Sequence, residues 1–384
     1  MNSKWVRGIF RNNDWLLFFT AITLTVIGLV SLYSTTQYSY TNFFNKQLVW
    51  LALGIVLFFI FSSIDYRFFK VHFSPIIALY LLELLGLIAV FLFGNSVRGA
   101  QSWISLGPIN IEPVEPLKVI LILIFAKYFF GRHVEIYRIK HIIVSGIYVF
   151  LPSVLVLLQP DIGSFLILVV IWLGITVVSG IKLKHILALV LIGCVLSVLA
   201  WSFLLLGYQK ARILTFLNPY LDPYGAGYNS IQSSVAVGSG GFWGKGLGNG
   251  TQSQLGFLPE AHTDFIFSSI TEEFGIVIAV VVLILFGLLF YRMMRITQKA
   301  SDNFARLAAV GISIMIIFQA LFNISMAIGL MPITGLTLPF VSYGGSSLLT
   351  VFLSIGILNS IYKNSTESIS IGAKDLIRDG DSVG

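Results

Sequence analysis

The sequence predicts an all-α, polytopic integral membrane protein, and three observations lead to this fold class. Of the 384 residues, 57% are hydrophobic and only 11% are charged, which is too little polar surface for a soluble chain of this length. Apolar runs of about the 20 residues that span a bilayer recur along the whole chain. The basic residues between these runs are also distributed unevenly, as the connecting segments of a membrane protein require.

Ten apolar runs give the predicted transmembrane helices. They lie at about residues 15–34, 47–63, 75–93, 116–130, 141–158, 163–180, 186–206, 265–290, 307–328 and 345–362. We expect them to form a single membrane domain over residues 1–362, followed by a polar cytoplasmic tail over residues 363–384. The first run follows a basic stretch but is too long for the apolar region of a signal peptide, so we interpret it as the first span.

Positive charge predicts the orientation in the membrane. With the N-terminus in the cytoplasm, 18 of the 24 Lys and Arg residues fall in cytoplasmic segments. The other six are Lys46, Arg98, Lys118, Lys210, Arg212 and Lys245. By the positive-inside rule both termini are therefore cytoplasmic. The net charge of +7 then reflects topology, and no basic cluster alternates with aromatic residues as in a nucleic-acid groove, so we expect no nucleic-acid partner.

Two loops on the non-cytoplasmic side are prominent, at about residues 94–115 and 207–263. The second is by far the longest connection, and loops of that length without structure are uncommon, so we expect it to be partly ordered and functional. Residues 225–250 include nine glycines. Within this stretch Ile231 and Val235 lie one helical turn apart, which predicts a short amphipathic helix on the membrane surface.

Several common site types are excluded by residue spacing. The glycine-rich stretch is not a P-loop, because Ser239 stands where the first glycine is needed and Lys245 is followed by glycine. His262 has no companion histidine at metal-ligand spacing, and no His–acid pair is placed to activate a serine. The single Cys194 excludes an internal disulfide and a thiolate cluster.

Carboxylates collect on the predicted outer side and inside the spans. They are Glu83, Glu112, Glu115, Asp161, Asp222, Glu260, Asp264, Glu272 and Glu273. A charge inside the membrane costs roughly 2.5–3.5 kcal/mol, so each needs a partner or a wet cavity. We expect Asp264 in the first turn of the eighth helix, where the helix end favours its ionised form and burial opposes it, a balance that suits a general base. A helix-capping role explains the same placement equally well.

Other charges near this end point to ion pairs or to an anionic substrate. Glu272 and Glu273, deeper in the eighth helix, are expected to form internal pairs. Glu115 and Lys118 are three residues apart at the start of the fourth helix and can pair. With Arg98 and Arg212 they would suit a lipid-linked anion such as a polyprenyl phosphate, whereas the alternative is that they are structural ion pairs.

Six stretches of the chain form distinctive motifs. In chain order they are "GAQSWISLGP", "EPVEPLKV", "QPDIGS", "RILTFLNPYLDPYGAGYNSIQSSVAVGSGGFWGKG", "GTQSQLGFLPEAHTDFIFSSITEEFG" and "LPFVSYGGSSLL". Together they resemble the SEDS family (shape, elongation, division, sporulation), whose members are membrane glycosyltransferases that polymerise lipid II into peptidoglycan strands. The last two are long and specific. The motif "NGTQSQLGFLPE" is more similar to the elongation branch of the family than to the division branch.

The resemblance implies roles for individual residues. Asp264 matches the essential acid, the general base that deprotonates the 4-hydroxyl of the acceptor sugar. Candidate substrate-binding residues are Trp103, Glu115, Lys118, Asp161 and Arg212 from the matching motifs, with Arg98 from its place in the first outer loop. The chain departs from the family pattern at Ser102, where many members have a basic residue, and at Val114, where many have a small polar residue.

The implied reaction joins lipid II units by β-1,4 bonds for cell-wall elongation and cell shape, and releases undecaprenyl pyrophosphate at the bacterial cytoplasmic membrane. The resemblance also implies a class B penicillin-binding protein and other membrane proteins of the elongation complex as partners. No cofactor is certain, and Mg²⁺ or Mn²⁺ is a candidate at the pyrophosphate. Two alternatives remain: a flippase for lipid II or another polyprenyl lipid, and a scaffold for wall-synthesis proteins.

Overall fold

The computed structural model describes residues 13–36, 42–94, 102–107, 109–131 and 139–380. Within these ranges most of the chain is helical. The helices are α1 (Trp15–Thr35), α2 (Phe43–Ser63), α3 (Arg67–Val71), α4 (Ser74–Phe93), α5 (Val114–Phe130), α6 (Ile139–Leu158), α7 (Ile162–Val178), α8 (Leu183–Leu199), α9 (Gly207–Leu217), α10 (Tyr228–Ser239), α11 (Thr251–Gln254), α12 (Ile266–Lys299), α13 (Asn303–Ala327) and α14 (Gly345–Gly380). A π-helical turn, Ala200–Leu204, prolongs α8, and a 3₁₀ turn, Pro219–Leu221, follows α9.

Each of the ten predicted apolar runs overlaps one of these helices. Eight helices in the described ranges are long and apolar enough to cross a membrane. The other two runs correspond to the 17-residue helices α5 and α7. The prediction of an all-α, multi-pass membrane protein is thus confirmed. The last helix runs on to Gly380, so most of the predicted polar tail continues it.

Helices α5 and α13 occupy the centre of the bundle. Every residue of α5 from Leu117 to Ala126 is buried, and α13 packs against α5, α7 and α12. Gly311 permits close packing of α13 against α5 and α7, because a Cβ atom there would lie 2.6 Å from Ile122 and 2.7 Å from Ile175. By contrast, none of the residues of α8 is buried, which places this helix at the periphery.

One end of the bundle, called here the Asp14 end, is closed by polar contacts between distant helices. The buried carboxylate of Asp14 accepts a hydrogen bond of 2.6 Å from Arg292 Nη2 on α12. The backbone N–H of Asp14 donates to Asn359 Oδ1 on α14 at 2.7 Å. The same asparagine donates to Ser62 on α2 at 2.5 Å. These contacts fix the relative heights of α1, α2, α12 and α14.

The opposite end, called the Asp264 end, contains more irregular structure. A two-stranded antiparallel hairpin, β1 (Ile104–Leu106) and β2 (Ile109–Ile111), pairs Ile104 with Ile111. It lies beside α4 and α14. The predicted long loop contains α9, α10 and α11, which confirms that it is partly ordered. The predicted amphipathic helix is α10, but it packs against α12 and α13 with Ser233 and Ala236 as its buried residues.

Helix α12 differs from the prediction at two points. It begins at Ile266, so Asp264 lies in the preceding turn and not in the first helical turn. It is also interrupted at Gly275, which has φ 75° and ψ −176°. The loop that precedes α11 fills the break, because Lys245 N donates to Glu272 O at 3.0 Å and Ile276 N donates to Gly241 O at 3.0 Å. Backbone groups freed inside a membrane protein need such substitute partners.

Candidate active site

The turn that carries Asp264 is held by donors from outside the turn. Three successive carbonyl groups, those of His262, Thr263 and Asp264, accept hydrogen bonds from distant residues. The donors are Tyr343 N at 3.0 Å, Ser342 Oγ at 2.6 Å and Asn323 Nδ2 at 2.9 Å. A helix beginning near residue 263 would direct the first two carbonyls to residues 266 and 267. The contacts with 342 and 343 therefore explain why the helix begins later than predicted.

The segment between α13 and α14, residues 328–344, forms one wall beside Asp264. Gly335 has φ 79°, and a Cβ atom there would lie 3.8 Å from Asp264 Oδ2. Asn323, which is fully buried, bridges the turn to this segment, since its Nδ2 also donates to Leu336 O at 2.7 Å. The side chain of Asp264 remains partly exposed. The structure thus fixes the backbone of Asp264 and leaves its carboxyl group within reach of a ligand.

Glu260 begins the same turn with strained backbone geometry. Its φ of 54° lies in the left-handed region, which costs a non-glycine residue roughly 1–2 kcal/mol. Its carbonyl accepts from Thr263 N at 3.1 Å and from Phe265 N at 3.2 Å, and its Oε2 accepts from Thr263 Oγ1 at 2.8 Å. These bonds within the turn compensate for the strain.

Glu115 and Lys118 form a buried ion pair at the start of α5, as predicted. Lys118 Nζ lies 2.7 Å from Glu115 Oε1, and the side chains are 1% and 7% exposed. The other oxygen, Glu115 Oε2, is buried and accepts no hydrogen bond from the described part of the chain. A buried ion pair with one unsatisfied oxygen gives little net stability. Stabilising the fold therefore does not by itself account for the Glu115–Lys118 pair.

The hairpin places Trp103 and Asp161 beside this pair. Trp103 Nε1 donates to Glu112 Oε2 at 3.0 Å, and Ser102 Oγ donates to Asp161 Oδ2 at 3.2 Å. Asp161 also caps α7, because its Oδ1 accepts from Ser164 N at 2.9 Å. Burial raises the pKa of Glu112 to about 8, and the negative charges of Glu115 and Asp161 act in the same direction. The two acids and Lys118 therefore form one electrostatic group with Glu112.

The segment 328–344 and the first turn of α14 lie between this group and Asp264. A Cβ atom at Gly163, two residues after Asp161, would lie 2.7 Å from Thr334 O. On the other side of the group, Glu112 N donates to Ser346 Oγ at 3.2 Å. Residues 334–336 thus contact both the Asp264 turn and the start of α7. All these residues lie at the same end of the bundle.

One predicted substrate-binding residue, Arg212, is not brought into this group. Arg212 lies on α9, where its guanidinium stacks at 5.8 Å from the ring centroid of Tyr208. No contact recorded for the described residues joins it to Lys118 or to Asp264. Arg98 lies outside the described residues. The predicted binding set therefore divides into a cluster around Lys118, the exposed Trp103 at its edge, and a separate basic residue on α9.

Glu272 and Glu273 have structural partners, in agreement with the interpretation as internal pairs. Glu272 is fully buried, and its Oε1 lies 2.8 Å from Lys245 Nζ. Its Oε2 accepts from Ser253 N at 3.1 Å and from Ser253 Oγ at 3.0 Å. Glu273 Oε1 accepts from Ser34 Oγ at 2.5 Å and from Gln254 Nε2 at 2.9 Å. Both acids hold the glycine-rich loop against α12 and α1.

Sequence reasoning missed the residues that hold the Asp264 turn in place. Asn323 and Ser342 contribute only uncharged groups, so the search for charges passed over them. Gln47 belongs to the same set, since its Nε2 donates to Ser342 O at 3.2 Å and its Oε1 accepts from Gly344 N at 3.3 Å. A usable signal was present, because an amide within an apolar span is expected to have a specific hydrogen-bonding partner.

The described residues contain no group of three or more His, Cys, Asp or Glu side chains arranged to hold a metal ion. Among the acids around Lys118, Asp161 already accepts a hydrogen bond at each carboxylate oxygen, from Ser102 Oγ and from Ser164 N. This donor set does not fit a resident metal cage, which would require several converging oxygen ligands.

The chain is therefore a multi-pass integral membrane protein that carries a partly exposed carboxylate and a buried acid–lysine group at the same end of its helical bundle. The chain belongs to the FtsW, RodA and SpoVE family of cell-cycle proteins, whose sequence profile matches residues 14–367. This result confirms the family resemblance noted from the sequence motifs.

Named relatives and solved structures agree with this assignment. The chain is 38% identical over 319 residues to the peptidoglycan glycosyltransferase MrdB of Escherichia coli K12, a match that covers 83% of this chain and 85% of MrdB. It is 31% identical, with a TM-score of 0.79, to a chain from a peptidoglycan synthase complex that coordinates polymerization and crosslinking; the match covers 93% of this chain and 99% of that chain. Against the rod shape determining protein RodA of Thermus thermophilus the TM-score is 0.69 with 28% identity, over 93% of this chain and 98% of RodA.

Proposed function

We propose that the protein polymerises lipid II into β-1,4-linked glycan strands for cell-wall elongation and releases undecaprenyl pyrophosphate. It is a peptidoglycan glycosyltransferase of the same kind as its relative MrdB. The observation that carries the finer proposal is the Asp264 turn, where three carbonyl groups are held by distant donors while the carboxyl group stays partly exposed. Such a group is oriented by its surroundings and accessible to a substrate.

In the proposed reaction Asp264 acts as the general base. Its carboxylate accepts the proton of the acceptor 4-hydroxyl as that oxygen attacks the anomeric carbon of the donor sugar. The bond between this carbon and the pyrophosphate oxygen breaks, and the electron pair leaves with undecaprenyl pyrophosphate. Attack from the face opposite the leaving group converts the α-linked donor into a β-linked product. One base is sufficient, so no second carboxylate at glycosidase spacing is required.

The leaving pyrophosphate needs positive charge nearby. Lys118 is the proposed source within the α5 group, with Arg212 on α9 and Arg98 as further candidates; Trp103, Glu115 and Asp161 complete the proposed binding set. Any Mg²⁺ or Mn²⁺ would enter with the pyrophosphate, since Mg²⁺ is commonly held by substrate phosphates and one or two carboxylates. Polymerisation assays with and without a chelator test this cation requirement.

The proposed setting is the bacterial cytoplasmic membrane, with both termini in the cytoplasm and the Asp264 end outside. The uneven distribution of Lys and Arg supports this orientation. A class B penicillin-binding protein is the proposed partner, which would crosslink the strand beside other membrane proteins of the elongation complex. The similarity to a chain from a complex that couples polymerization to crosslinking supports this choice.

The test compares three forms of the purified protein in detergent with lipid II and the partner present. Asp264→Asn keeps the shape of the side chain but removes the base, so we expect polymer formation to fall by about 10²–10⁴-fold without loss of thermal stability. Asp222→Asn is the matched control, because Asp222 is exposed and its carboxylate accepts a hydrogen bond within its own turn, from Ala226 N at 2.8 Å. Normal polymer formation by Asp264→Asn would refute the role of Asp264. If no form makes polymer, and the parent reconstituted in liposomes transports lipid II across the bilayer, a flippase would be favoured instead.

A further inference from the structure

Glu112 connects three parts of the Asp264 end that are distant in sequence. Its carboxyl group accepts a hydrogen bond of 3.0 Å from Nε1 of Trp103, the residue that precedes the first strand of the hairpin. Its backbone N–H donates to Ser346 Oγ at the start of α14, at 3.2 Å. Its carbonyl accepts from Glu115 N at 3.1 Å, which fixes the first turn of α5. A change in its charge therefore occurs where the hairpin, α5 and α14 meet.

The charged groups that face Glu112 come from each neighbouring element. Glu115 and Lys118 lie on α5, and Asp161 lies at the start of α7; all three act on Glu112 electrostatically. On α4, Glu83 lies near the same point, since a Cβ atom at Gly86 would be 3.8 Å from Glu83 Oε2 and 3.2 Å from Pro113. Acids outnumber the single lysine in this set, so an additional negative charge on Glu112 is disfavoured.

We propose that Glu112 is a positioning residue and proton-dependent charge switch for the anionic lipid-linked donor. In the protonated form it holds Trp103 and the hairpin without adding charge to the Lys118 group. In the ionised form it adds a negative charge beside Lys118, which repels the donor pyrophosphate and competes for the lysine. This inference rests on the proposed function for the identity of the donor.

The direction of the pH effect follows from the surroundings of Glu112. Glu112 is half-buried, and desolvation raises its pKa to about 8, so the carboxyl group should ionise as the pH passes through 8. The hydrogen bond from Trp103 favours the ionised form and opposes this rise. Removing the indole N–H in Trp103→Phe should therefore move the ionisation to higher pH, whereas Glu112→Gln should abolish it.

The raised pKa of Glu112 also affects the stability of the fold. A carboxyl group whose pKa is higher in the folded than in the unfolded state binds protons more tightly when folded. Its contribution to stability is present below the unfolded pKa and is lost as the pH rises toward the folded value of about 8. The melting temperature of Glu112→Gln should consequently exceed that of the parent by a margin that grows between pH 4.5 and pH 8 and then levels off.

The first experiment measures KM and kcat for lipid II polymerisation between pH 6.5 and 9.5. We expect KM of the parent to rise by about 3- to 10-fold through pH 8, which is the size of effect for one screened charge roughly 10 Å from the phosphates. KM of Glu112→Gln should stay constant, and Asp222→Asn should follow the parent. A rise in KM that persists in Glu112→Gln would overturn the proposal, and so would a constant KM in the parent.

The second experiment does not depend on lipid II. The Trp103 contribution to fluorescence, obtained by subtracting the spectrum of Trp103→Phe, should titrate near pH 8 in the parent and stay constant in Glu112→Gln. Identical titrations in the two proteins would overturn the switch even if polymerisation proceeds. If no polymer forms at any pH but the fluorescence titrates as expected, the proposed function fails while the protonation of Glu112 stands.

Discussion

Asn323 provides the most direct test of how the Asp264 turn is held. Its Nδ2 donates to two backbone carbonyls, Asp264 O at 2.9 Å and Leu336 O at 2.7 Å. The bond to Leu336 O is buried, whereas the bond to Asp264 O is partly buried. Replacing Asn323 by alanine leaves the buried acceptor unsatisfied, at about 1–3 kcal/mol, and removes the donor from the partly buried one, at about 0.5–1.5 kcal/mol. We therefore expect a loss of about 2–4 kcal/mol in the free energy of unfolding, since the site relaxes in part.

Activity should fall more than the stability loss alone explains. Displacing a catalytic group by about 1 Å can cost roughly 10²-fold in rate, and Asn323 is one of three outside residues that hold this turn. We expect kcat of Asn323→Ala to fall by about 10- to 100-fold at temperatures where the protein remains folded, with a smaller change in KM. The assay combines polymerisation of fluorescent lipid II with a thermal unfolding curve of the same detergent sample.

Two variants make the Asn323 test decisive. Asn323→Asp has nearly the same shape but replaces the amide donor by a carboxyl group, so it should lose at least one of the two bonds and resemble Asn323→Ala. Asn364→Ala at the Asp14 end is the control, because Asn364 Nδ2 donates to a single carbonyl, Ser360 O, at 3.0 Å. If Asn323→Ala keeps kcat within about 2-fold of the parent, the turn is not positioned by this amide and the argument is wrong.

Two further predictions concern the loop that packs into α12. Lys245→Met removes the ammonium group that pairs with the buried carboxylate of Glu272. Breaking a fully buried ion pair costs about 3–5 kcal/mol of the free energy of unfolding. Because 26% of the Lys245 side chain is exposed, we expect a smaller loss of about 1–3 kcal/mol. A denaturation series with Lys245→Arg as the conservative control measures this, and equal stability of both variants would contradict it. Gly275→Ala places a Cβ atom against Gly244 N in a conformation that only glycine adopts readily, so a loss on the order of 3 kcal/mol or more is expected. Gly287→Ala on the same helix meets nothing within 4 Å and should stabilise by about 0.5–1 kcal/mol, which separates the effect of the break from that of helix propensity. Equal stability of the two variants in the same denaturation series would contradict the expectation for Gly275→Ala.

The spans were predictable because each depends on local composition. An apolar run of about 20 residues has few alternatives to a membrane helix, and all ten runs overlap helices. The pairing of Glu115 with Lys118 was predictable for the same reason, since three residues separate them on one helix. For Glu272 the sequence predicted that an internal partner exists but not which residue it is, because Lys245 lies 27 positions away and no spacing rule relates the two.

The start of α12 could not be predicted from local sequence. Helical phase counted from Thr263 placed Asp264 in the first turn, but tertiary donors at 342 and 343 take the carbonyls that would begin the helix there. The hairpin was missed for a different reason. Its strands are three residues each, shorter than the four residues at which alternation becomes a usable strand signal.

The motif "LPFVSYGGSSLL" shows how a stretch almost without ionisable groups can control an acid. Its one titratable side chain is Tyr343, yet the backbone N–H of Tyr343 and the hydroxyl of Ser342 hold the two carbonyls that precede Asp264. Irregular backbone at the edge of a membrane bundle is stable only when other parts of the protein satisfy its polar groups. The break at Gly275 follows the same rule, with residues 241–246 as the donors and acceptors. The position of the proposed base therefore depends on the packing of α13 and α14 against α12, so that a change at Ser342 should alter kcat through the backbone of the Asp264 turn.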